Sequence, residues 1–453
     1  MKNLIHLFIG IFASLFFTCT ALAYQPFPDT GQVKCYNNTV QTACPEPGQR
    51  FFGQDYQYQP RLPRSYTKLG YDGIELPDNA RHVDDEGPWI MTRDNVTGLI
   101  WQIKTENTMH DTYSWTNARD VFIAELNREM FGGYSDWSLP TVKELSSIVD
   151  SGVLSEQTSP KINSFWFPNT THISTVPYWT SDPYIRLSNR YWMLDFSSGL
   201  TDNVYYTRER HVYAVRSGQS YPSYLVDNED GTITDPNTGL MWQKGTAPGT
   251  YTWEQALAYA NNLTLAGRSD WRLPNINELH TLVDYSRGEP AVFQPFANDT
   301  VVGSNIYWSS TSVASQTTGA QNAKGITLGA WGDVASNAKS NLRHVRAVRS
   351  GNSVPVGTLS SIIEPIGALH DGARWRTLGA PDWNYHLYPE RIATGIHRIE
   401  FKDLDQWITP EIKTVFVGEG EAASTSGTYA RVPETGDLYV TIEPAGARAD
   451  GAR

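Results

Sequence analysis

The sequence predicts an α+β protein: two tandem domains, each with two short helices and an antiparallel sheet, followed by a small all-β module. Three observations carry this. The stretch Ser135-Asp136-Trp137-Ser138-Leu139-Pro140-Thr141 has a twin, Ser269-Asp270-Trp271-Arg272-Leu273-Pro274-Asn275. Around each copy the same signals recur in the same order: an Asp-x-x-Thr-Gly-Leu-x-Trp hairpin, a helix, the twinned turn, a second helix, a Tyr-Trp strand and an Arg-His-Val strand. Beyond them Leu359-Ser360-Ser361-Ile362-Ile363-Glu364-Pro365 returns as Leu438-Tyr439-Val440-Thr441-Ile442-Glu443-Pro444, which marks a different, shorter repeating unit.

In chain order, residues 1–23 read as an export signal. Lys2 supplies the positive region, Leu4 to Phe17 is apolar, and Ala21-Leu22-Ala23 is a small-x-small cleavage pattern. The apolar run is too short for a membrane span, and Phe17-Thr18 before Cys19 argues against lipidation. Residues 24–88 form an extension rich in Pro, Gly, Tyr and Gln, expected to lie on the first repeat, with Tyr66 to Gly70 and Gly73 to Pro77 as short strands. Removal of the signal leaves two cysteines, Cys35 and Cys44, for which a local disulfide is the default in an oxidising compartment.

The first repeat spans 89–219. Trp89 to Met91 and Leu99 to Gln102 make a hairpin around Asp94 to Gly98, where Asp and Asn cap their own backbone and Gly accepts positive φ. Ser114 caps a first helix whose stripe is Ala118, Val121, Phe122 and Leu126. Thr141 and Glu144 form a capping box ahead of Leu145, Ile148 and Val149. Strands follow at Tyr178 to Thr180, Tyr191 to Phe196 and His211 to Val215. The second repeat, 220–352, repeats these steps with its hairpin turn at Asp235 to Gly239 and a Thr252–Gln255 box ahead of Ala256, Leu257, Ala260 and Leu263. An Asn275–Glu278 box precedes Leu279, Leu282 and Val283. Later strands lie at Tyr307 to Ser310, Gly325 to Leu328 and His344 to Val348. Its Ser312 to Lys324 stretch reads as a mobile polar loop. Residues 353–453 carry strands at His397 to Phe401 and Lys413 to Val417, no helical stripe, and the start of a further unit, as in a shortened descendant of a longer repeat protein.

Composition narrows the function. The formal charge is -12, which argues against non-specific nucleic-acid binding and against a polybasic membrane surface. With 15 Trp, 24 Tyr and 36 Gly but only 19% charged residues, the chain has the profile of a turn-rich exported fold. No Gly-x-Ser-x-Gly elbow or His-Glu-x-x-His is present. His211 and His344 lack a nucleophile partner, and Ser309 and Ser310 read as strand hydrogen bonders. Glu144 and Glu278 are helix caps, one per domain, and offer no carboxylate pair. The expectation is no enzyme and no cofactor. Asp227, Asp230 and Asp235 surround Gly231 and are the calcium candidate, although a self-capping turn is the simpler reading.

The ordered set Asp94, Thr97-Gly98-Leu99, Trp101, Ser135-Asp136-Trp137, Leu139-Pro140, Glu144-Leu145, Tyr178-Trp179 and Arg210-His211 resembles the Lcl C-terminal domain family, also called DUF1566. So does its counterpart Asp235, Thr238-Gly239-Leu240, Trp242, Ser269 to Pro274, Glu278-Leu279, Trp308 to Ser310 and Arg343 to Val348. The tail resembles small β modules of surface proteins. The resemblance implies a fold related to C-type lectins and an exported bacterial surface protein; the namesake's domain serves adhesion to sulfated glycans. Trp101, Asp136, Trp137, Pro140, Trp242, Asp270, Trp271 and Pro274 are then expected to be structural. The triplet beside each Trp is Ser-Asp-Trp and no Glu-Pro-Asn loop accompanies it, which argues against calcium-dependent sugar binding. Aromatics that stack on sugar rings and cations that pair with sulfate or carboxylate are sought in loops differing between the copies. These are Tyr184, Arg186, Arg190 and Trp192 in the first and Trp331, Lys339 and Arg343 in the second. The expected role is adhesion to a glycan or a protein on a cell surface or in matrix, with self-association as a further possibility. The competing expectation is a structural component of an appendage or matrix.

Overall fold

A computed structural model describes residues 27–58, 64–154, 159–172, 175–216, 225–235, 238–315, 319–350, 356–378, 383, 384, 386, 387, 390–393, 395–417 and 422–432. The expected export signal and the further unit expected to start at Leu438 to Pro444 lie outside them. Two compact units emerge, residues 1–351 and 352–453.

The first unit opens with a hairpin, β1 (Cys35–Tyr36) and β2 (Gln41–Thr42), closed by the Cys35–Cys44 disulfide. β3 (Tyr66–Leu69) and β4 (Glu75–Leu76) follow, then β5 (Met91–Asp94) and β6 (Ile100–Gln102) around the expected turn, where Asp94 accepts from the Val96 and Thr97 amides and Gly98 has φ 73°. Helix α1 (Trp115–Asn117) is capped by Ser114. It passes through a π-helical stretch at Ala118–Ile123 into α2 (Ala124–Arg128). α3 (Val142–Ser147) carries the Thr141–Glu144 box. A meander of β7 (Tyr178–Pro183), β8 (Arg190–Asp195) and β9 (Leu200–Tyr205) precedes β10 (Val215–Arg216), which closes a sheet of order β10-β6-β5-β3-β4.

The second repeat follows the same plan. β11 (Val226–Asp227), β12 (Thr232–Asp235), β13 (Leu240–Gln243) and β17 (Val348–Ser350) make one sheet. Between β13 and β17 lie α4 (Trp253–Asn262), α5 (Ile276–Thr281) and the meander β14 (Tyr307–Ser315), β15 (Gly319–Ile326) and β16 (Val334–Ala338). Both expected capping boxes are formed.

The recurrent residues hold equivalent places in both copies. The Trp115 and Trp253 indoles donate to Thr180 O and Ser309 O, each at 2.9 Å; those of Trp179 and Trp308 donate to Tyr113 O and Tyr251 O, each at 2.8 Å. Trp137 and Trp271 are buried and bond back to Phe131 O and Leu265 O, tying the turn after the first helix to its core. Asp136 clamps Arg216 and Asp270 clamps Arg349, both two-pronged, so each twinned turn grips the closing strand. Pro140 O and Pro274 O accept from Ser181 and Ser310 amides at 2.7 Å. Trp101 and Trp242 are fully buried at the sheet centre.

Four expectations are corrected. The first helix buries Ala118 and Ile123 and exposes Val121, because the wider π-helical turn rotates the face that reaches the core. Of the Ser312 to Lys324 stretch, the described residues 312–315 and 319–324 belong to strands β14 and β15 and not to a loop, and Ala320, Ala323 and Lys324 are buried. The stapled extension does not lie on the first repeat as a whole. Its strands β3 and β4 do join the first sheet, but residues 27–58 run over the second repeat. There Ala320 donates to Thr39 O, Gln32 exchanges two bonds with Ser312, Arg50 pairs with Glu254, and Tyr58 donates to Asn261. Gly31, with φ 82°, is required where this strap crosses the first repeat, since a Cβ there would meet the Asp150 carboxylate at 2.1 Å.

The fourth correction concerns the second unit, which is not all-β. Pro365 starts a one-turn helix, α6 (Ile366–His370), after β18 (Val356–Glu364). The remainder is β19 (Trp375–Thr377), β20 (Glu390–Ala393), β21 (Gly395–Phe401), β22 (Trp407–Ile408), β23 (Lys413–Val417), β24 (Ala422–Thr428) and β25 (Ala430–Arg431). β18 pairs in parallel with β24, and Leu359, Ile363, Trp375, Ile399, Phe401, Val417 and Tyr429 fill the core.

Candidate functional site

The loop residues sought as ligand contacts divide into two groups. Tyr184 and Trp192 are buried, 6% and 1% exposed, within a core that belongs mainly to the second repeat. Trp192 leaves β8 and meets Tyr285 edge-on at 5.3 Å between ring centroids; Tyr184 meets Trp331 at 6.3 Å, with the Arg186 guanidinium 4.6 Å from the Trp331 ring centre. These side chains weld the two repeats together. The weld is a pseudo-two-fold. In strand register, Trp192 corresponds to Lys324 and Tyr285 to Ser151, and Lys324 donates to Ser151 Oγ at 3.2 Å and to Gly199 O. The Val334 amide donates to Thr201 Oγ1, its own symmetry mate, across the axis. One half of the contact is aromatic and the other polar. Burial holds Lys324 down to about 7 and Lys143, whose ammonium reaches Thr281 O, down to about 8.

Behind this seam His280 bonds the Tyr285 hydroxyl at 2.6 Å. Burial first, then Lys143 and Lys324, hold it down to about 3. Between that value and its ordinary 6.5 the unfolded chain takes a proton that the folded one refuses, so this contribution is intact above pH 6.5 and is lost as pH falls. Asp55 has the opposite sign over a similar range: burial raises it to about 7, against the Thr311 and Thr30 hydroxyls it accepts from. The His280 term is therefore isolated by difference. His280→Gln is expected to reduce the stability lost between pH 6.5 and 4 by about 2 kcal/mol relative to the parent, measured by urea denaturation at each pH. Parallel curves for the two proteins would remove the effect.

Lys339 is also buried, its ammonium 3.9 Å from the Trp253 ring centre and bonded to Asn37 O of the strap. Arg343 is half-buried and holds Asn337 Oδ1 with two N–H groups. Asp227 pairs with Lys244, Asp230 caps the Thr232 amide and hydroxyl, and Asp235 takes the Thr238 hydroxyl, so each carboxylate of the calcium candidate serves its own turn. Among the described residues no group of three or more His, Cys, Asp or Glu is placed to hold a metal.

What stays open is the far end of the first meander. In the second repeat this end is covered. Trp253 carries Phe51 of the strap at 6.3 Å and Lys339, while Tyr36 packs on Ala320. In the first repeat the equivalent positions are Trp115, Tyr206 and Ser188, matched by the Trp115 amide to Tyr206 O bond and the Trp253 amide to Lys339 O bond, both 2.9 Å. Among the described residues no strap lies over them. Trp115 stacks on Tyr191 at 3.7 Å instead, and Tyr205 and Tyr206 stand 44% and 41% exposed. Arg190 lies 4.3 Å from the Tyr205 ring centre and donates to Asn203 Oδ1 at 3.0 Å; its buried Nε has no partner. Arg186 and Arg208 are exposed nearby along the chain, and among the described residues Arg186, Arg190 and Arg208 form no ion pair with a carboxylate. Of this set, reading the sequence had singled out Arg186 and Arg190 and missed Tyr205, Tyr206 and Arg208. The run Tyr205-Tyr206-Thr207-Arg208-Glu209-Arg210 was itself the available signal, an aromatic and cationic stretch where the second repeat has Ala338-Lys339-Ser340-Asn341-Leu342-Arg343.

The architecture defines a tandem-repeat α+β protein with one repeat masked and one open. Residues 90–216 and 231–349 match the Lcl C-terminal domain, just over half of the chain, and the protein belongs to that family as two tandem copies. The family is a non-catalytic one associated with surface adhesion. No curated protein matches the chain. Among the described residues no helix is long and apolar enough to cross a membrane.

Proposed function

We propose that this is an exported, non-enzymatic adhesion protein that recognises an anionic glycan with the open end of its first repeat. The observation that supports this reading is the asymmetry between the copies. One meander end is sealed by the stapled strap; the other presents Tyr205 and Tyr206, with Arg190 against the Tyr205 ring and Arg208 in the turn whose amide bonds Tyr205 O, and no carboxylate is paired to Arg190 or Arg208 among the described residues. Tyrosine faces suit the apolar faces of sugar rings, and guanidinium forks suit sulfate or carboxylate. The concentration of cations on one end answers the difficulty that the -12 overall charge poses for an anionic partner. Export from an N-terminal signal belongs to the same proposal.

The test is a glycan array of neutral, carboxylated and sulfated sugars, with and without calcium. Arg190→Ala combined with Arg208→Ala is expected to weaken binding to anionic glycans by about tenfold or more. The Arg343→Ala change, at a half-buried residue of the covered repeat, should leave affinity within error once folding is confirmed. An array silent for intact protein would overturn the glycan reading and favour a structural role in an appendage or matrix.

A further inference from the structure

The second repeat buries a cation that makes no direct ion pair with a carboxylate among the described residues, Asp299 acting on it only at longer range. Arg346 is 0% exposed, between the Phe296 ring at 4.8 Å and the Tyr307 ring at 5.7 Å. One terminal nitrogen is satisfied, by Asp299 O and Thr300 Oγ1, each at 3.0 Å. Its Nε and its other terminal nitrogen have no partner. The Asp299 side chain is exposed, and it is the backbone oxygen of that residue, not its carboxylate, that takes the guanidinium. A third donor joins them. Trp242 pairs in register with Val348, so Arg346, two residues earlier, is its diagonal neighbour on the same face of the sheet. The Trp242 ring packs edge-on against the same Phe296, and its buried Nε1 also lacks a partner. Buried donors are ordinarily satisfied, and an isolated buried cation is costly unless paired. Here three unmet donors, one of them on a full positive charge, share a wall of aromatic rings. That is a lining for something that accepts hydrogen bonds and carries negative charge, small enough for a packed core.

The first repeat shows the alternative. Tyr213 takes the place of Arg346, and its hydroxyl meets Thr170 Oγ1, as Arg346 meets Thr300 Oγ1. With tyrosine there the cation and two of the three unmet donors disappear together.

We propose that the second repeat holds a small monovalent anion, of the size and chemistry of chloride, between Arg346 and Trp242 beside Phe296. The site is distinct from the open end of the first repeat and does not depend on glycan recognition.

The probe is bromide, a heavier halide of the same charge. Intact protein would be melted in bromide and in chloride, against gluconate at equal ionic strength. A saturable rise of about 2 °C in the halides is expected. Crystals soaked in bromide should show an anomalous peak within hydrogen-bonding reach of Arg346 Nε. Arg346→Tyr, which installs the residue the first repeat uses, should fold and lose the halide response. The parent measurements stand without any variant, so a misfolded variant leaves the test intact. Ordered water alone at the position, with no halide peak and the same melting curve in all three salts, would overturn the proposal.

Discussion

Trp192→Ala is expected to destabilise the first unit by about 3–5 kcal/mol, the range for emptying a buried tryptophan site. The ring is 1% exposed and bridges Tyr184 and Tyr285 at 5.3 Å to each. Its loss would open a cavity between two repeats, not within one. The consequence is therefore felt across the seam. Amides around Tyr285 and Val334, in the second repeat, should exchange faster although the change lies in the first, because Lys143, Val334 and Lys324 all make their bonds across the same interface. Tyr205→Ala is the control, since an exposed ring off the seam should cost within about 0.5 kcal/mol. Urea unfolding followed by tryptophan fluorescence, together with hydrogen exchange, checks both. A cost below about 1 kcal/mol with unchanged exchange in the second repeat would mean that the repeats are separable and the seam is incidental.

That seam also marks where the sequence stopped being legible. Internal repetition made each domain readable: agreement between copies fixed the hairpins, both capping boxes of the second helices and the place of the twinned Trp. These are local features, written in a few adjacent residues. The packing of one copy on the other is not local. Trp192 sits in a stretch that differs between the copies, and variable loop aromatics suggest ligand contact. The opposing signal was present: Tyr191, Trp192, Met193 and Leu194 are apolar at both parities, the mark of a strand covered on both faces. β8 is such a strand, with Tyr191 and Met193 packed toward the first repeat's helices and Trp192 toward the second repeat. Its symmetry mate Lys324 disguised the relation, because a lysine in a Ser, Thr and Gly-rich segment reads as solvent-exposed. The strap was hidden for a similar reason. Its bonds to the second repeat span sequence separations of 203 to 302 residues and run largely through backbone oxygens and single side chains, which leave no periodic pattern.

The open end of the first repeat follows from the same asymmetry. A single strap can serve only one of two equivalent faces. It serves the second, where Ala320, Ala338 and Lys339 are small or able to bond a backbone oxygen. On the first, Ser188, Tyr205 and Tyr206 stand in those places, and the two tyrosines would have to move for a strap to lie as it does on the second. Sequence divergence between the copies thus tracks whether a face is covered by the strap or left open.

The ion pair behind the strap gives the second large effect. Arg272 and Glu278 are both buried and joined by two bonds, 2.6 Å and 2.5 Å, and Glu278 also accepts the Asn275 amide that starts α5. Arg272 lies 5.4 Å from the ring centre of Tyr58 in the strap. The first repeat has Ser138 in that position. Its Glu144 keeps the cap without the arginine, and burial, the larger influence, raises its carboxyl above the usual range. Arg272→Met would leave the Glu278 carboxylate buried and short of its partner, so a loss of about 3–5 kcal/mol is expected. Replacing both, Arg272→Met with Glu278→Gln, keeps the cap acceptor and removes both charges. It should recover most of the loss, because the desolvation cost of the charges goes with them. A double-mutant cycle in urea measures this. If the double change is as damaging as the sum of the singles, the pair is not coupled and the strap, not the charge, carries the stability. If it recovers, the second repeat keeps this ion pair for the geometry of its α5 entry and for its grip on Tyr58. The first repeat, where among the described residues no strap lies on that side, does without it.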